Sequence, residues 1–128
     1  ASPVRTDPET GVLYRSVLKP IGENFSGNTI DIISSKFSAI HVEPANQEEI
    51  DNTVKVMGGE DWERWITQMQ KANVLASGCK TVAYSYIGPS LSHAIYRDGT
   101  IGEAKKHLEK TAKHLNSFLN LIRYMHLI

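Results

Sequence analysis

The chain has 128 residues, 41% of them hydrophobic and 22% charged, which predicts one globular domain with a modest core. Fourteen basic and fourteen acidic residues give a formal net charge of zero, which argues against a nucleic-acid partner. No apolar run approaches the ~20 residues that a membrane span needs. Cys79 is the single cysteine, which rules out a disulfide framework within the chain and favours a reducing compartment, so we expect a cytoplasmic protein.

The first 43 residues predict a surface segment followed by two strands. Residues 1–28 hold three of the five prolines and are typical of a long segment at the protein surface. Residues 29–43 alternate between apolar and polar side chains, which predicts two short strands joined at Ser34 and Ser35.

Two helices are predicted next. Asn46 and Glu49 have the spacing of a capping box, in which each side chain accepts a hydrogen bond from the backbone N–H of the other, and Gly58–Gly59 ends the helix. The second helix covers EDWERWITQMQKA and has acidic residues in its first turn. Its apolar face is predicted to hold Trp62, Trp65, Ile66 and Met69.

A strand and a long helix complete the pattern. Residues 79–87 are rich in β-branched and aromatic side chains and predict a strand. A helix with an apolar stripe follows from Thr100, which has capping-box spacing to Glu103. The order helix, helix, strand, loop, helix is typical of α/β proteins, in which the strand belongs to a parallel sheet. This chain offers too few strands to complete such a sheet, so we expect it to be a piece of a longer protein.

The loop between this strand and the long helix is the expected place for chemistry, because ligands of open α/β sheets bind beyond the carboxyl ends of the strands. Tyr96 lies in the loop, and Lys105 lies in the second helical turn, from which a side chain leans back toward the loop. Gly99 and Gly102 allow backbone or a ligand to come close. A phenol beside an ammonium group loses its proton more readily. The spacing leaves open a packed tyrosine and a solvated lysine.

Other residues give weaker signals. Tyr84 and Tyr86 share one face of the predicted strand, where packing in the core is the default expectation. His107 and His114 are about 10 Å apart along one helix face, too far to share a metal ion, and are expected to be solvated. We predict no metal site.

Three segments, TVKVMGGEDWERWI, KTVAYSYIGP and IYRDGTIGEAKKHLE, closely resemble the NADH-dependent trans-2-enoyl-ACP/enoyl-CoA reductases, bacterial enzymes distantly related to short-chain dehydrogenases. The opening ASPVRTDPETGVLYRSVLKPIG resembles them too, whereas NFSGNTIDIISSKFSAIH matches weakly. The resemblance covers most of residues 1–120. It implies an α/β fold in which this chain forms part of a Rossmann-like parallel sheet, incomplete here.

The resemblance also implies roles for individual residues. The signature of the family is a tyrosine, eight residues and a lysine, which falls on Tyr96 and Lys105. It implies that Tyr96 is the catalytic proton donor and that Lys105 binds the cofactor NADH at the nicotinamide ribose. Tyr86 matches a substrate-binding tyrosine, and Ala1 matches the last residue of a segment that touches NAD. Lys106 matches a second lysine of the family.

The implied reaction is NADH-dependent reduction of the trans-2 double bond of an enoyl thioester on acyl-carrier protein or coenzyme A, in fatty-acid biosynthesis. Enzymes of the family have a much longer chain, so we expect residues 1–128 to be a central fragment that lacks the N-terminal nucleotide-binding part and the C-terminal part. Two alternatives stay open. One is an inactive fragment that self-associates through uncovered apolar faces, and the other is a reductase of a different substrate.

Overall fold

A computed structural model of the protein describes residues 3–76, 78–86, 88–119 and 125–127. For the final two residues of the last helix and for the last strand, the description covers the backbone alone. The helices and strands of the described residues, in chain order, are β1 (Val4–Thr6), β2 (Leu13–Arg15), β3 (Phe25–Asp31), β4 (Lys36–Val42), α1 (Gln47–Met57), α2 (Glu60–Lys71), β5 (Tyr84–Tyr86), a short 3-10 turn (Ser90–Ser92), α3 (Thr100–Leu119) and β6 (Met125–Leu127).

β1 and β2 form an antiparallel ribbon that is fixed to the junction of α1 and α2. Arg5 on β1 is only 8% exposed, and its guanidinium donates two hydrogen bonds of 2.8 Å to the Asp61 carboxylate. A third hydrogen bond of 3.1 Å runs to the carbonyl of Lys55. A buried guanidinium is stable only with such partners. The predicted surface segment therefore contains two short strands and a buried charge.

Two fully buried threonines hold the segment Val17–Lys19. Thr53 on α1 accepts a hydrogen bond from the Val17 N–H (3.0 Å) and donates one to the Glu49 carbonyl (2.7 Å). Thr100 donates to the Val17 carbonyl (2.6 Å) and accepts from the Lys19 N–H (3.3 Å). The segment therefore connects α1 to the first residue of α3.

The capping box predicted at Thr100 and Glu103 is wrong, because the Thr100 hydroxyl is occupied by the Val17–Lys19 segment. The Glu103 carboxylate instead pairs with Lys106 at 2.6 Å. The capping box predicted for α1 is confirmed: Glu49 N–H donates to Asn46 Oδ1 (2.9 Å), and Asn46 N–H donates to Glu49 Oε2 (3.0 Å).

The two strands predicted over 29–43 are confirmed as the antiparallel hairpin β3–β4, whose first strand starts four residues earlier than expected. The turn contains Ser34 and Ser35, as predicted, and the Asp31 carboxylate accepts hydrogen bonds from the N–H and the hydroxyl of Ser34. At the base of the hairpin, Ala45 N–H donates to the Pro20 carbonyl (2.9 Å). The segments that enter and leave the hairpin are therefore hydrogen-bonded to each other at its base.

The core lies among the helices. α1 and α2 have the predicted extents, and Ile66 and Leu115 are buried together, with Trp62, Met69 and Leu75 packed against them. Trp65 is 65% exposed, so its predicted place in the apolar face is wrong.

The junction of α1 and α2 packs directly on α3. The buried Gly59 leaves no room for a side chain, because a Cβ atom there would overlap Thr111 on α3. Gly59 N–H also donates to His107 Nδ1 at 3.0 Å. The expectation that His107 is solvated is therefore wrong. For His114 it is confirmed, because the side chain is 62% exposed, and its Nε2 atom lies 3.2 Å from a carboxylate oxygen of Glu63.

β5, α3 and β6 form a parallel strand–helix–strand unit, with Tyr84 opposite Met125 and Tyr86 opposite Leu127. β5 is shorter than the strand predicted over 79–87. The α/β class is confirmed to the extent that helices and strands are mixed and one strand pair is parallel. Among the helices described here, none combines the length and apolar character needed to cross a membrane.

We expect Glu49→Gln to lower the free energy of unfolding at neutral pH and to have less effect as the pH falls. The Glu49 carboxylate accepts a hydrogen bond of 2.6 Å from Lys19 Nζ, and this bond, followed by the one from the Asn46 N–H, holds the pKa of Glu49 below its ordinary value. Such a carboxyl stabilises the fold above its unfolded pKa of about 4.3, and this contribution is lost as the pH falls through the folded pKa.

Urea unfolding at a series of pH values from neutral to acidic measures this effect. Glu48→Gln is the matched control, because Glu48 is an exposed acid in the same helical turn and its removal changes the helix-terminal charge equally. A difference between the two variants that stays constant with pH would contradict the role of the Lys19–Glu49 contact.

Candidate active site

The loop between β5 and α3 is built from consecutive tight turns that fix the position of Tyr96. Tyr96 N–H donates to the Ser92 carbonyl (3.0 Å), and Asp98 N–H donates to the His93 carbonyl (2.8 Å). The Tyr96 carbonyl in turn accepts hydrogen bonds from the N–H groups of Gly99 (3.3 Å) and Gly102 (2.8 Å). The backbone of Tyr96 is therefore fixed on both sides, and its half-buried side chain starts from a defined point.

Gly102 lets the first turn of α3 pack directly on the Tyr96 loop. A Cβ atom at Gly102 would overlap the carbonyl oxygen of Arg97 and lie 2.9 Å from that of Tyr96. Gly99 is equally confined, because its Cβ atom would lie 2.6 Å from the Lys19 carbonyl oxygen. The close backbone approach expected at these two glycines is therefore present.

A cavity of about 140 Å³ opens where the end of β5, the loop and α3 meet. Three of the four residues expected in the site, Tyr86, Tyr96 and Lys105, contribute to its wall, while Ala1 lies outside the described residues. The residues that line the cavity are Tyr86, Tyr96, Arg97, Gly102, Lys105, Lys106 and Glu109.

Lys105 and Lys106 differ in environment although they are neighbours. Lys106 is exposed and pairs with Glu103. Lys105 is half-buried, and burial lowers the pKa of its ammonium group. Within the part of the chain that the structure describes, no hydrogen bond or ion pair engages the Lys105 ammonium group. It can therefore donate hydrogen bonds to a ligand in the cavity.

Two tyrosines, Tyr86 and Tyr96, line the same cavity. Tyr86 is 54% exposed and Tyr84 is 73% exposed, so the default expectation that they pack in the core is wrong for this chain. A phenol can donate a proton or a hydrogen bond to a ligand oxygen. The cavity therefore combines a possible proton donor with a cation.

Arg97 and Glu109 also contribute to the cavity wall, and the sequence reasoning did not include them. The sequence positions of both residues would have predicted that they lie near the site. Arg97 is adjacent to Tyr96, and Glu109 lies four residues after Lys105, on the same helix face. No group of three His, Cys, Asp or Glu side chains among the described residues is arranged to hold a metal ion.

The family model of the trans-2-enoyl-CoA reductase catalytic region matches residues 1–125 of this chain. The chain is 60% identical over 116 residues to the trans-2-enoyl-CoA reductase (NADH) of Treponema denticola, a match that covers 91% of this chain and 29% of the relative. It is 59% identical over 112 residues to the enoyl-[acyl-carrier-protein] reductase (NADH) of Flavobacterium johnsoniae, covering 88% of this chain and 28% of the relative.

The fold is similar to the crystal structure of the Treponema denticola trans-2-enoyl-CoA reductase in complex with NAD. The TM-score is 0.93 at 56% sequence identity, and the match covers 100% of this chain and 32% of that one. The chain therefore spans less than a third of the length of these relatives.

We expect Gly102→Ala to lower the free energy of unfolding by about 1–3 kcal/mol, because the added methyl group must displace the Arg97 carbonyl. This loss exceeds the ~0.5–1 kcal/mol that alanine gains over glycine inside a helix. Urea or thermal unfolding measures the change. Gly27→Ala is the control, because a Cβ atom there meets only the tip of the Phe25 ring, which can move. An equal effect of the two substitutions would show that backbone crowding at Gly102 is not the cause.

Proposed function

This chain belongs to the family of trans-2-enoyl-CoA reductase catalytic regions, and we propose from that membership that it is the central part of a longer NADH-dependent reductase of enoyl thioesters. The observation that carries the proposal is that Tyr96 and Lys105, the tyrosine–lysine pair of the family signature, contribute to one cavity. The proposed reaction reduces the trans-2 double bond of the thioester in fatty-acid biosynthesis. The nucleotide-binding part would precede this chain, and a further part would follow it.

We propose that β5 and β6 belong to a Rossmann-like parallel sheet related to that of short-chain dehydrogenases. Their parallel pairing and the connection through α3 support this assignment, because parallel strands joined by a helix are the repeating unit of such sheets. In the complete sheet, the Tyr96 loop would leave the carboxyl end of a strand, which is where open α/β sheets bind ligands.

Tyr96 is the proposed proton donor. NADH, when bound, supplies a hydride to C3 of the unsaturated thioester. The electrons of the double bond then move toward the thioester carbonyl, and the phenol of Tyr96 donates its proton to this enolate. One hydride and one proton together saturate the double bond. The fixed backbone of Tyr96 supports this role, because proton transfer needs a donor within hydrogen-bond reach of the acceptor atom.

Lys105 is the proposed contact to the nicotinamide ribose of NADH. Its half-buried ammonium group has three donors and, among the described residues, no ion-pair partner, so it fits a ligand that offers hydroxyl oxygens. Ala1 is proposed to touch NAD as well, on the resemblance alone.

Tyr86 is the proposed substrate contact, and its exposed phenol on the cavity wall supports this role. The proposed substrate is an enoyl thioester on coenzyme A or acyl-carrier protein, and the names of the two relatives contain one carrier each. We also propose a cytoplasmic location, which the free Cys79 supports.

Tyr96→Phe in the full-length reductase is expected to lower kcat for crotonyl-CoA by about 10²–10⁴-fold, because it removes the proton donor. NADH binding, measured by fluorescence titration, is expected to stay the same. Tyr84→Phe is the matched control, since Tyr84 lies on the same strand as Tyr86 and is mostly exposed. Unchanged turnover in Tyr96→Phe would rule out the proton-donor role. Turnover of simple ketones in preference to crotonyl-CoA would favour a different substrate class.

Lys105→Ala is expected to raise the Kd for NADH by about 10–100-fold, the equivalent of losing a hydrogen bond to a charged group. Fluorescence titration of the full-length protein measures the change. Lys110→Ala, which removes an exposed lysine from the same helix, is the control and should leave the Kd unaltered. An unaltered Kd in Lys105→Ala as well would count against the ribose contact.

A further inference from the structure

Thr100 lies between the two residues of the family signature, four positions after Tyr96 and five before Lys105. It is the first residue of α3 and is fully buried. Its hydroxyl donates to the Val17 carbonyl (2.6 Å) and accepts from the Lys19 N–H (3.3 Å), and its own N–H donates to the Lys19 carbonyl (3.0 Å). Three hydrogen bonds therefore fix Thr100 to one segment of the chain.

The segment that Thr100 binds also contacts the loop that carries Tyr96. The Lys19 carbonyl oxygen would lie only 2.6 Å from a Cβ atom at Gly99, and Pro20 forms a β-bridge with Gly99. The Gly99 N–H in turn donates to the Tyr96 carbonyl (3.3 Å). A shift of the segment therefore reaches Tyr96 through a single intervening residue. These contacts are all made within this chain, so they do not depend on the parts of the longer reductase outside it.

The part of α3 that carries Lys105 is held by different contacts. His107 Nδ1 accepts a hydrogen bond of 3.0 Å from the Gly59 N–H, and Thr111 packs so closely on Gly59 that a Cβ atom there would overlap it. These contacts keep the body of the helix on the junction of α1 and α2 whether or not the hydroxyl at the helix start is present. Loss of that hydroxyl is therefore expected to move the loop more than the lysine.

Thr53 provides a matched comparison, because it is also fully buried and its hydroxyl binds the same segment. It accepts from the Val17 N–H (3.0 Å) and donates to the Glu49 carbonyl (2.7 Å) of its own helix. Thr53 therefore connects the segment to α1, whereas Thr100 connects it to the junction of the loop and α3. The two threonines share their chemistry and burial, but only Thr100 adjoins the loop of Tyr96.

We propose that Thr100 is a positioning residue for proton transfer by Tyr96. Thr100 is buried and is not among the residues that line the cavity, so it acts through Tyr96 and not on the substrate. Proton transfer needs the donor within hydrogen-bond reach of the acceptor, and a misplacement of about 1 Å can lower a rate by a factor on the order of 100. The proposal rests on the proposed function, because it assumes that Tyr96 is the proton donor.

The experiment compares Thr100→Val with Thr53→Val in the full-length reductase, since each substitution removes one buried hydroxyl and keeps the shape of the side chain. We expect Thr100→Val to lower kcat for crotonyl-CoA about tenfold and to change KM and the Kd for NADH by less than about twofold, because a small displacement of the donor slows proton transfer first. Thr53→Val should leave kcat within about twofold of the unmodified enzyme, because α1 does not carry the loop. Thr100→Ser, which keeps the hydroxyl, should restore most of kcat.

A second measurement tests whether Thr100 acts through Tyr96. In the Tyr96→Phe background, Thr100→Val should cause no further loss of kcat, because residues that act as one unit have non-additive effects. A residue that only stabilises the fold would lower kcat by the same factor in both backgrounds. Urea unfolding of each variant measures the loss of stability separately.

Four results would overturn the proposal. Equal losses of kcat in Thr100→Val and Thr53→Val would indicate a general effect on the fold, and an unchanged kcat in Thr100→Val would indicate a structural threonine. A raised Kd for NADH as the main effect would assign Thr100 to the placement of Lys105. An equal loss of kcat in the Tyr96→Phe background would show that Thr100 acts through another group.

Should Thr100→Val fail to fold, Thr100→Ala with Thr53→Ala as its control makes the same comparison. The proposed function fails by a different result, namely no reduction of crotonyl-CoA by the unmodified enzyme or full turnover by Tyr96→Phe. The role of Thr100 is instead measured from the difference between the two threonine variants.

Discussion

Two buried threonine hydroxyls are the constraint on which the arrangement of the helices and the loop depends. Thr53 and Thr100 each accept an N–H and each donate to a carbonyl, and both share the segment Val17–Lys19. A buried hydroxyl without partners costs about 1–3 kcal/mol, and the Thr100 hydroxyl has both of its partners in this segment. The Thr53 hydroxyl would keep only its bond to the Glu49 carbonyl of its own helix. Thr100 is also where the chain passes from the loop into α3. The orientation of the candidate site is therefore determined by a contact that spans 83 residues of sequence.

The candidate site combines the fixed backbone of Tyr96 with two cations, of which Lys105 is half-buried and Arg97 is exposed. The backbone of Tyr96 is fixed through hydrogen bonds to its carbonyl, and Lys105 and Arg97 both line the cavity. Burial lowers the pKa of the half-buried Lys105 ammonium group, whereas the Arg97 side chain is 63% exposed. The sequence could place Tyr96 and Lys105 together because helix side chains lean toward the N-terminus. It could not show that Arg97 would be left without a close acidic partner, since that depends on where its neighbours point.

The sequence predicted correctly those elements that depend only on residues close together in the chain. The box at Asn46 and Glu49 forms because its two members need only each other and the first helical turn. The same pattern at Thr100 fails because a buried partner from a distant segment takes the hydroxyl. Among the described residues, the strand predicted over 79–87 is formed only at Tyr84–Tyr86, where it pairs with β6, because a strand forms only where another strand pairs with it. His107 likewise accepts a hydrogen bond from the N–H of Gly59, which lies 48 positions earlier in the chain. The pattern of apolar residues along α3 cannot predict such a contact.

The two ends of the hairpin β3–β4 are held side by side, so the hairpin projects from the fold as a closed loop. Its ends meet where the Ala45 N–H binds the Pro20 carbonyl, and Pro20 is itself bridged to Gly99. Because the ends are held together whatever lies between them, the entropy of closing this loop changes only slowly with its length. Residues 21–44 can thus lengthen, shorten or change composition during evolution without altering the distance between their anchors. This independence is consistent with the sequence-based expectation that NFSGNTIDIISSKFSAIH, the stretch that forms the hairpin, resembles the family only weakly, and it makes the hairpin tip a suitable site for inserting foreign sequence.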